Sequence, residues 1–369
     1  MWVEELPNGK YKYVERYKDH SGKWRKVSLT HMKKNNSVKK EMTKRLQKKI
    51  DKKLATNSNK KITFKEVADE WLALHAKTVK FSSAKSYETH LNTICSTLGG
   101  VELSDLNAGM VNRFLLDELN RGLKYDTVRL KLHAIREVIG HAVKFGYIEE
   151  DKISHKLHLP KINKSVQNDF KYLEVDEIKK VLKQLDGHPV YQRMVMVLVN
   201  TGLRFGELVA IQESDIDFDN NSISISKTYN SFYDRLGTPK TGKERVIYFN
   251  NDLKSVLREQ VIYTKELKLI NQLDKSIEYV FLNARGKPVK LVTFNSILKT
   301  VDLPSKKKVT ANYFRHTYIT LMVQEGVDRK LIARQVGHNS LEMIDKVYAH
   351  FTEQMERNQK EMQLTNKII

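Results

Sequence analysis

The spacing of hydrophobic and polar positions changes character along the chain. Tyr11, Tyr13, Glu15 and Tyr17 alternate with Lys12, Val14, Arg16 and Lys18, a period of two that predicts a strand. Turn clusters at Pro7-Asn8-Gly9 and Asp19-His20-Ser21-Gly22 bound it, and residues 24–29 make a further strand, so residues 1–30 read as short strands. From 38 to 54 the period lengthens, and Met42, Leu46, Ile50 and Leu54 share one stripe of a lysine-rich helix. Residues 55–60, ATNSNK, are polar and featureless and read as a linker. Helical periods then fill 62–160. Thr63-Phe64-Lys65-Glu66 is a capping box ahead of Val67, Trp71 and Leu74 on an apolar face. Further helices are predicted over 82–98, closed by Gly99-Gly100, from 104 or 105 to 119, and over 126–145, closed by Gly146.

Residues 157–167, with Pro160 and several lysines, read as a second linker. Beyond it the pattern predicts helices over 175–185 and 189–201, the latter ending on Gly202 and carrying the nearly unbroken apolar run 194–199 of a buried element. Runs at 222–226 and 246–249 are of strand type and flank GTPKTG at 237–242, a hairpin or short sheet. A helix over 252–273, a short strand over 279–282 and helices over 291–300, 311–325, 329–336 and 340–350 complete the chain. The fold class is mainly α with small β elements (α+β), and 369 residues suffice for two or three domains.

Composition narrows the function. The net charge is +21, and residues 1–61 hold 19 Lys+Arg against 6 Asp+Glu, a net of +13 that leaves +8 for the other 308 residues. Such asymmetry favours a polyanion, with nucleic acid a better reading than a membrane surface or an acidic protein. No apolar run is long enough to span a bilayer, and the opening MWVEELPNGK carries acids and no hydrophobic segment, so neither a membrane span nor a signal peptide is expected. The single cysteine, Cys95, excludes an internal disulfide and a multi-cysteine metal site; it reads as a small buried hydrophobe, and a reducing cytoplasm fits. Lys80, Lys85, Arg113, Arg121, Lys124, Arg129 and Lys131 fall on polar helix faces, which suits phosphate contacts along a duplex and equally suits solvated surface.

The chemistry concentrates in residues 309–351, VTANYFRHTYITLMVQEGVDRKLIARQVGHNSLEMIDKVYAHF. Arg315, His338 and Tyr348 are all groups that phosphoryl chemistry uses: a planar fork for non-bridging oxygens, an imidazole donor, and a hydroxyl able to attack phosphorus. Upstream lie NTGLRFGEL at 200–208 and PKTGKERVI at 239–247. The order TGLRxxEL, PKTGKxR, RHT, GH, then YxH resembles the tyrosine recombinases, in particular the integrases of phages and integrative elements, and the likeness extends less specifically over the amino-terminal half. The resemblance implies three domains: 1–55 an arm-type DNA-binding domain, 62–160 a helical core-site DNA-binding domain, and 170–369 the catalytic domain. The middle and last would close a C-shaped clamp on DNA.

By that resemblance Arg204 and Arg315 clamp the scissile phosphate, Glu207 supports Arg204, Lys240 protonates the departing 5′ oxygen, His338 contacts the phosphate and Tyr348 is the nucleophile. Arg204 starts a helix directly after a buried one, where a helix amino terminus and a guanidinium can converge on one anion. Lys240 needs a depressed pKa, and Lys227 and Lys243 compete for its role. His316, about a hundred degrees around the helix from Arg315, packs or caps rather than touching phosphate. The family's HxxR histidine is replaced by Asn312, which can donate a hydrogen bond but cannot exchange a proton, so the general base at that position is in doubt. The expected activity is site-specific strand cleavage and rejoining through a 3′-phosphotyrosine, integrating and excising DNA without cofactor, metal or ATP. The expected partners are double-stranded DNA at core-type and arm-type sites, three further copies in a homotetramer, an excisionase and a host DNA-bending protein. Two rivals remain open: a type IB topoisomerase, and a non-catalytic or decayed DNA-binding regulator. The tail from Phe351 reads either as a segment that docks on a neighbouring protomer or as a frayed terminus.

Overall fold

The computed structural model describes residues 1–18, 23–56, 62–148, 150–160, 171–240, 242–274, 276–338, 340–342 and 344–349, with the side chains of 52–56 outside the description. The turn expected at 19–22, most of each linker, and the tail from residue 350 therefore lie outside the described residues. The chain divides into two units, Met1–Ser165 and Val166–Ile369.

In the first unit the period-two segment becomes the middle of an antiparallel sheet, β1 (Trp2–Glu5), β2 (Tyr11–Lys18) and β3 (Trp24–His31), in the order β1-β2-β3. Alternation sends Tyr13, Tyr17 and Val27 to one face, where they pack on Met42, Leu46 and Ile50 of α1 (Asn36–Thr56), the stripe expected from the sequence. The opposite face carries cations on aromatic rings. Arg16 and Lys26 lie 5.4 and 5.6 Å from the Trp2 ring centroid, and Lys18 lies 5.2 Å from that of Trp24.

A separate core joins α2 (Phe64–His75), α3 (Phe81–Leu98), α4 (Ala108–Asn120) and α5 (Tyr125–Lys144) around Phe64, Ile94, Leu115, Ile135 and Ile139. The Thr63–Glu66 capping box forms as expected. Helix α4 starts later than 104 or 105, because the Asn107 side chain accepts from Met110 N–H and fixes the cap there. One expectation is corrected here. Lys131 does not lie on a polar face; it is 3% exposed and ion-paired to the equally buried Glu118, which Arg121 also reaches at 3.1 Å. A buried ammonium needs such a partner, so Lys131 is not available to phosphate.

The second unit is built on α7 (Pro189–Thr201), which follows α6 (Val175–Gln184). Met194, Val195, Val197 and Leu198 of α7 are wholly buried, as the apolar run predicts. After α8 (Phe205–Leu208) come β4 (Ile216–Asp217), β5 (Ser222–Ile225), β6 (Thr228–Asn230), β7 (Arg235–Gly237) and β8 (Arg245–Tyr248). The expected strand pair is β5–β8, in a sheet of order β4-β5-β8, with a second hairpin, β6–β7, inserted between its members. Helices α9 (Asn251–Ile270), α10 (Leu291–Leu298), α11 (Ala311–Gln324) and α12 (Arg329–Val336) follow, and residues 344–349 are helical. The strand expected over 279–282 is not one: Val280, Phe281 and Leu282 are buried, and among the described residues isolated bridges, Gln212 to Tyr279 and Leu282 to Pro288, pair the segment.

The end of α7 is a tight junction. Gly202 caps it with φ +66°, and a Cβ there would lie 2.4 Å from Cδ1 of Tyr318 and 2.8 Å from Cγ1 of Val336. Gly202→Ala therefore incurs both a left-handed penalty and a clash, an expected loss of roughly 2–4 kcal/mol. Urea unfolding of the full chain checks this, and a loss below about 0.5 kcal/mol would contradict the close approach.

Candidate active site

The site grows from that junction. Arg204 immediately precedes α8, and its backbone N–H and Nη1 both donate to Glu207, to Oε2 at 3.0 Å and Oε1 at 2.9 Å. Its Nη2 donates across to the carbonyl of Gly337 at 3.1 Å, at the end of α12. Glu207 is 1% exposed and takes a second arginine, with Arg245 Nη1 and Nη2 donating to its two oxygens at 3.2 and 2.7 Å. Arg245 Nε donates to the Gln335 carbonyl at 2.9 Å. Arg315, on α11, closes the group: Nη1 donates to the Gly202 carbonyl at 2.6 Å and Nη2 to that of Val336 at 2.7 Å. Three guanidiniums thus fasten the carboxyl ends of α7 and α12, where unpaired carbonyls and the negative end of each helix favour cations. Gly337, also left-handed at φ +68°, leaves room for Arg245; a Cβ there would come within 2.8 Å of Nη1.

The helix start of α8 does not serve as an anion site on its own account. It is four residues long, and the Arg204 N–H that would greet an anion is already bonded to Glu207. The anion-facing groups are the arginine side chains themselves.

Electrostatics follow from this crowding. Burial pushes the Glu207 carboxyl up, but hydrogen bonds and charge from Arg245 and then Arg204 outweigh it and hold the group below its ordinary 4.5. Burial, then Arg204 and Arg245 with Glu207 opposing, lowers Arg315 to about 9, so it stays cationic at neutral pH. His338 follows Gly337, and burial together with Arg315, Arg204, His316 and Arg245 pushes it down to about 4, leaving a neutral imidazole. Its Nδ1 is buried without a hydrogen-bond partner. His316 is half-buried, and burial, Arg315 and Lys171 lower it too.

Arg204, Arg315 and His338 are therefore brought together. Tyr348 lies on the helical residues 344–349 and packs with Tyr318, Ile332 and Val336; its hydroxyl donates to the Val327 carbonyl at 2.5 Å, and the Arg329 guanidinium lies 5.2 Å from its ring centroid. Lys240 is exposed on the connection between β7 and β8, on a turn closed by Gly242 N–H to the Pro239 carbonyl. Asn312 is exposed on the first turn of α11. Among the described residues, the hydrogen bonds around Glu207 and the helix ends involve neither of them. Of the competing lysines, Lys227 is held by Asp215 at 3.1 Å and by Gln212, while Lys243 is exposed beside the site. Arg245 was not among the expected site residues. Its signal was present as the last residue of the PKTGKER motif, at the first position of a strand.

This geometry defines a cationic centre with a helical tyrosine in the same unit. Residues 171–355 match the phage integrase family. The chain is 29% identical over 380 residues to the prophage ps2 probable integrase of Lactococcus lactis (96% of this chain, 97% of the relative). It is 28% identical over 342 residues to the integrase of Staphylococcus phage L54a (85% and 96%). Its fold is similar to the Tn1549 transposon integrase in complex with transposon right end DNA, with a TM-score of 0.66 at 20% identity, covering 82% of this chain and all of that one. It is also similar to a lambda integrase dimer bound to a COC' core site, TM-score 0.61 at 18% identity, covering 94% of each. The chain belongs to the phage integrase family, the tyrosine site-specific recombinases of mobile elements.

The shared carboxylate makes a stability prediction. Glu207→Gln leaves Arg245 and Arg204 without a buried counter-charge and should cost roughly 3–5 kcal/mol. Because the folded-state pKa is depressed, the stabilisation is present above the ordinary glutamate value and is lost as pH falls through the folded value. Thermal melts across acid pH should show the wild type losing an increment there that the variant lacks; parallel curves would contradict the assignment.

Proposed function

We propose that this protein cleaves and rejoins double-stranded DNA through Tyr348, integrating and excising a mobile element. The observation that carries the reading is the convergence of Arg204, Arg315 and His338 at the joined ends of α7 and α12, in a chain whose family is that of tyrosine recombinases. Two preorganised guanidiniums offset charge on the non-bridging oxygens as the pentavalent state forms, where such donors are worth most. Tyr348 Oη attacks phosphorus, the P–O5′ bond breaks, and Lys240, carried on its exposed turn, gives a proton to the leaving oxygen. The product is a 3′-phosphotyrosine and a free 5′-hydroxyl. The ester energy stays in that link, so attack by a 5′-hydroxyl of another strand rejoins DNA without ATP or metal. For attack, the Tyr348 hydroxyl must leave the Val327 carbonyl that now holds it.

The amino-terminal sheet supports a second DNA contact. Arg16 stands directly opposite Lys26 across the β2–β3 pair, a like-charge arrangement that weakens a sheet unless an anion resolves it, and both lie over Trp2. We assign this face to arm-type sites, residues 62–160 to core-site binding and 170–369 to catalysis. Assembly as a tetramer is supported by the fold likeness, at a TM-score of 0.61, to a lambda integrase tetramer bound to a Holliday junction. An excisionase and a host DNA-bending protein as accessory factors, and action in a bacterial cytoplasm, rest on the family alone. A second reading, a decayed recombinase that only binds DNA, is favoured by Asn312 at the position where the family carries histidine.

A nicked suicide duplex bearing the element's core site separates the two. The wild type should become covalently joined to the 3′ side, Tyr348→Phe should abolish the adduct while binding is kept, and Arg204→Ala or Arg315→Ala should each slow it roughly 10²–10³-fold. Specific binding with no adduct establishes the regulator reading instead. Removal of residues 1–55 should spare core-site binding and abolish arm-site binding, measured by gel shift; arm binding that survives the deletion contradicts the assignment.

A further inference from the structure

Attack by Tyr348 releases a phenolic proton, and position 312 has lost the group that would take it. The Asn312 amide forms hydrogen bonds but does not accept a proton at any working pH, and it is exposed on the first turn of α11. A groove of about 760 Å³ runs along α12 and β8, with Val327, Ile332, Gly337, His338, Arg245 and Lys243 on its walls. Val327 is the residue whose carbonyl now holds the Tyr348 hydroxyl. Val327, whose carbonyl accepts from Tyr348, and His338 therefore line one groove. Building on the strand-cleavage reading of Tyr348 above, we infer that His338 Nε2 accepts the Tyr348 proton in this chain, the role that Asn312 cannot fill.

Three features of the site fit that role. Nδ1 of His338 is buried and, among the described residues, has no hydrogen-bond partner, which leaves Nε2 as the ring nitrogen for a ligand. The charged and titratable groups acting on the ring are Arg315 and His316 from α11, Arg204 from the start of α8, and Arg245 from β8, all of them positive or able to become so. Together with burial they keep the imidazole unprotonated at neutral pH, which is the state a proton acceptor requires. A bound phosphodiester anion cancels part of that field. As the pentavalent state gains a second negative charge, the same ring becomes more basic when the proton must move. The step balances: the Oη–P bond forms, the P–O5′ bond breaks, the phenolic proton passes to Nε2, and Lys240 supplies a proton to the 5′ oxygen. Rejoining runs the transfers backwards, His338 returning its proton to Tyr348. The remaining carboxylate on the groove is Glu244, exposed ahead of β8.

The test measures single-turnover formation of the 3′ adduct against pH, using the full chain on the suicide duplex, with equilibrium binding measured in parallel. In the wild type the rate should fall as pH drops through the imidazole pKa of the complex, which the bound anion sets above the value of about 4 for the protein alone. His338→Gln still donates a hydrogen bond, yet it should lose roughly 10²–10³-fold in rate together with the acid-side fall, at binding within a few-fold of wild type. Adding Asn312→His to that variant should recover at least about tenfold and restore an acid-side fall, because a proton acceptor is returned to the site. The inference is overturned if His338→Gln keeps its rate and its pH dependence, if Glu244→Gln removes that dependence instead, or if the double variant recovers nothing. An adduct in the wild type with any of these results overturns the proton assignment alone. Tight specific binding without any adduct overturns the strand-cleavage reading and the inference with it.

Discussion

One carboxylate holds the site together. Glu207 is almost wholly buried, and it accepts hydrogen bonds from Arg204 and Arg245 at once. Three guanidiniums within one helix junction repel each other strongly in a poorly solvated setting. With one buried negative charge and four helix-end carbonyls as acceptors, each arginine has partners for its donors, and the repulsion becomes a fixed field aimed at an anion. Removing Glu207 would leave charges without compensation, whereas with Glu207 in place the arginines are paired without any ligand. That asymmetry explains how a cationic centre can be built before its substrate arrives, which is what electrostatic preorganisation requires.

The same field reaches His338 and sets what kind of group it is. Burial and the nearby Arg315, Arg204 and Arg245 disfavour a charge on this imidazole, so in the free protein it is neutral at neutral pH. A neutral ring can donate or accept, and among the described residues no group engages Nδ1 to fix the choice. Packing and chemistry are coupled here through two glycines. Gly202 and Gly337 bring the ends of α7 and α12 close enough for arginines to bridge them, and any side chain at either position would occupy the space of Tyr318, Val336 or Arg245.

What could be read from the sequence divides along physical lines. Long periodic helices were legible because burial repeats over several turns: α7, α9 and α11 lie within a few residues of the predicted spans. The motif residues Arg204, Arg315 and His338 were legible because residue type and order restrict what chemistry they can share. The apolar segment 279–282 was misread, since a short buried run has no period to separate a strand from an irregular core segment. Lys131 was misread because a charged residue defaults to solvent unless its partner is known, and Glu118 lies thirteen residues away on another helix. Arg245 escaped for the same reason: nothing local announces that a strand-leading arginine shares a carboxylate thirty-eight residues earlier.

The two halves of the chemistry are held by different kinds of force, and that difference bears on control. Arg204, Arg245 and Arg315 are fixed by several charge-assisted hydrogen bonds each, to groups that cannot move without unpacking α7 or α12. Tyr348 packs on the Tyr318–Ile332–Val336 cluster, its hydroxyl donates to a main-chain carbonyl, a cation lies on its ring, and the surface-exposed Arg329–Asp345 pair at 2.9 Å joins its helical segment to α12. Exposed ion pairs contribute little, typically below about 1 kcal/mol, and a single neutral hydrogen bond nets a similar amount. The arginine frame is the charged, largely buried part of the unit, and the tyrosine's hydroxyl contact is a neutral one to the main chain. Under the strand-cleavage reading proposed for Tyr348, such a division lets the phosphate clamp stand ready before the nucleophile is committed.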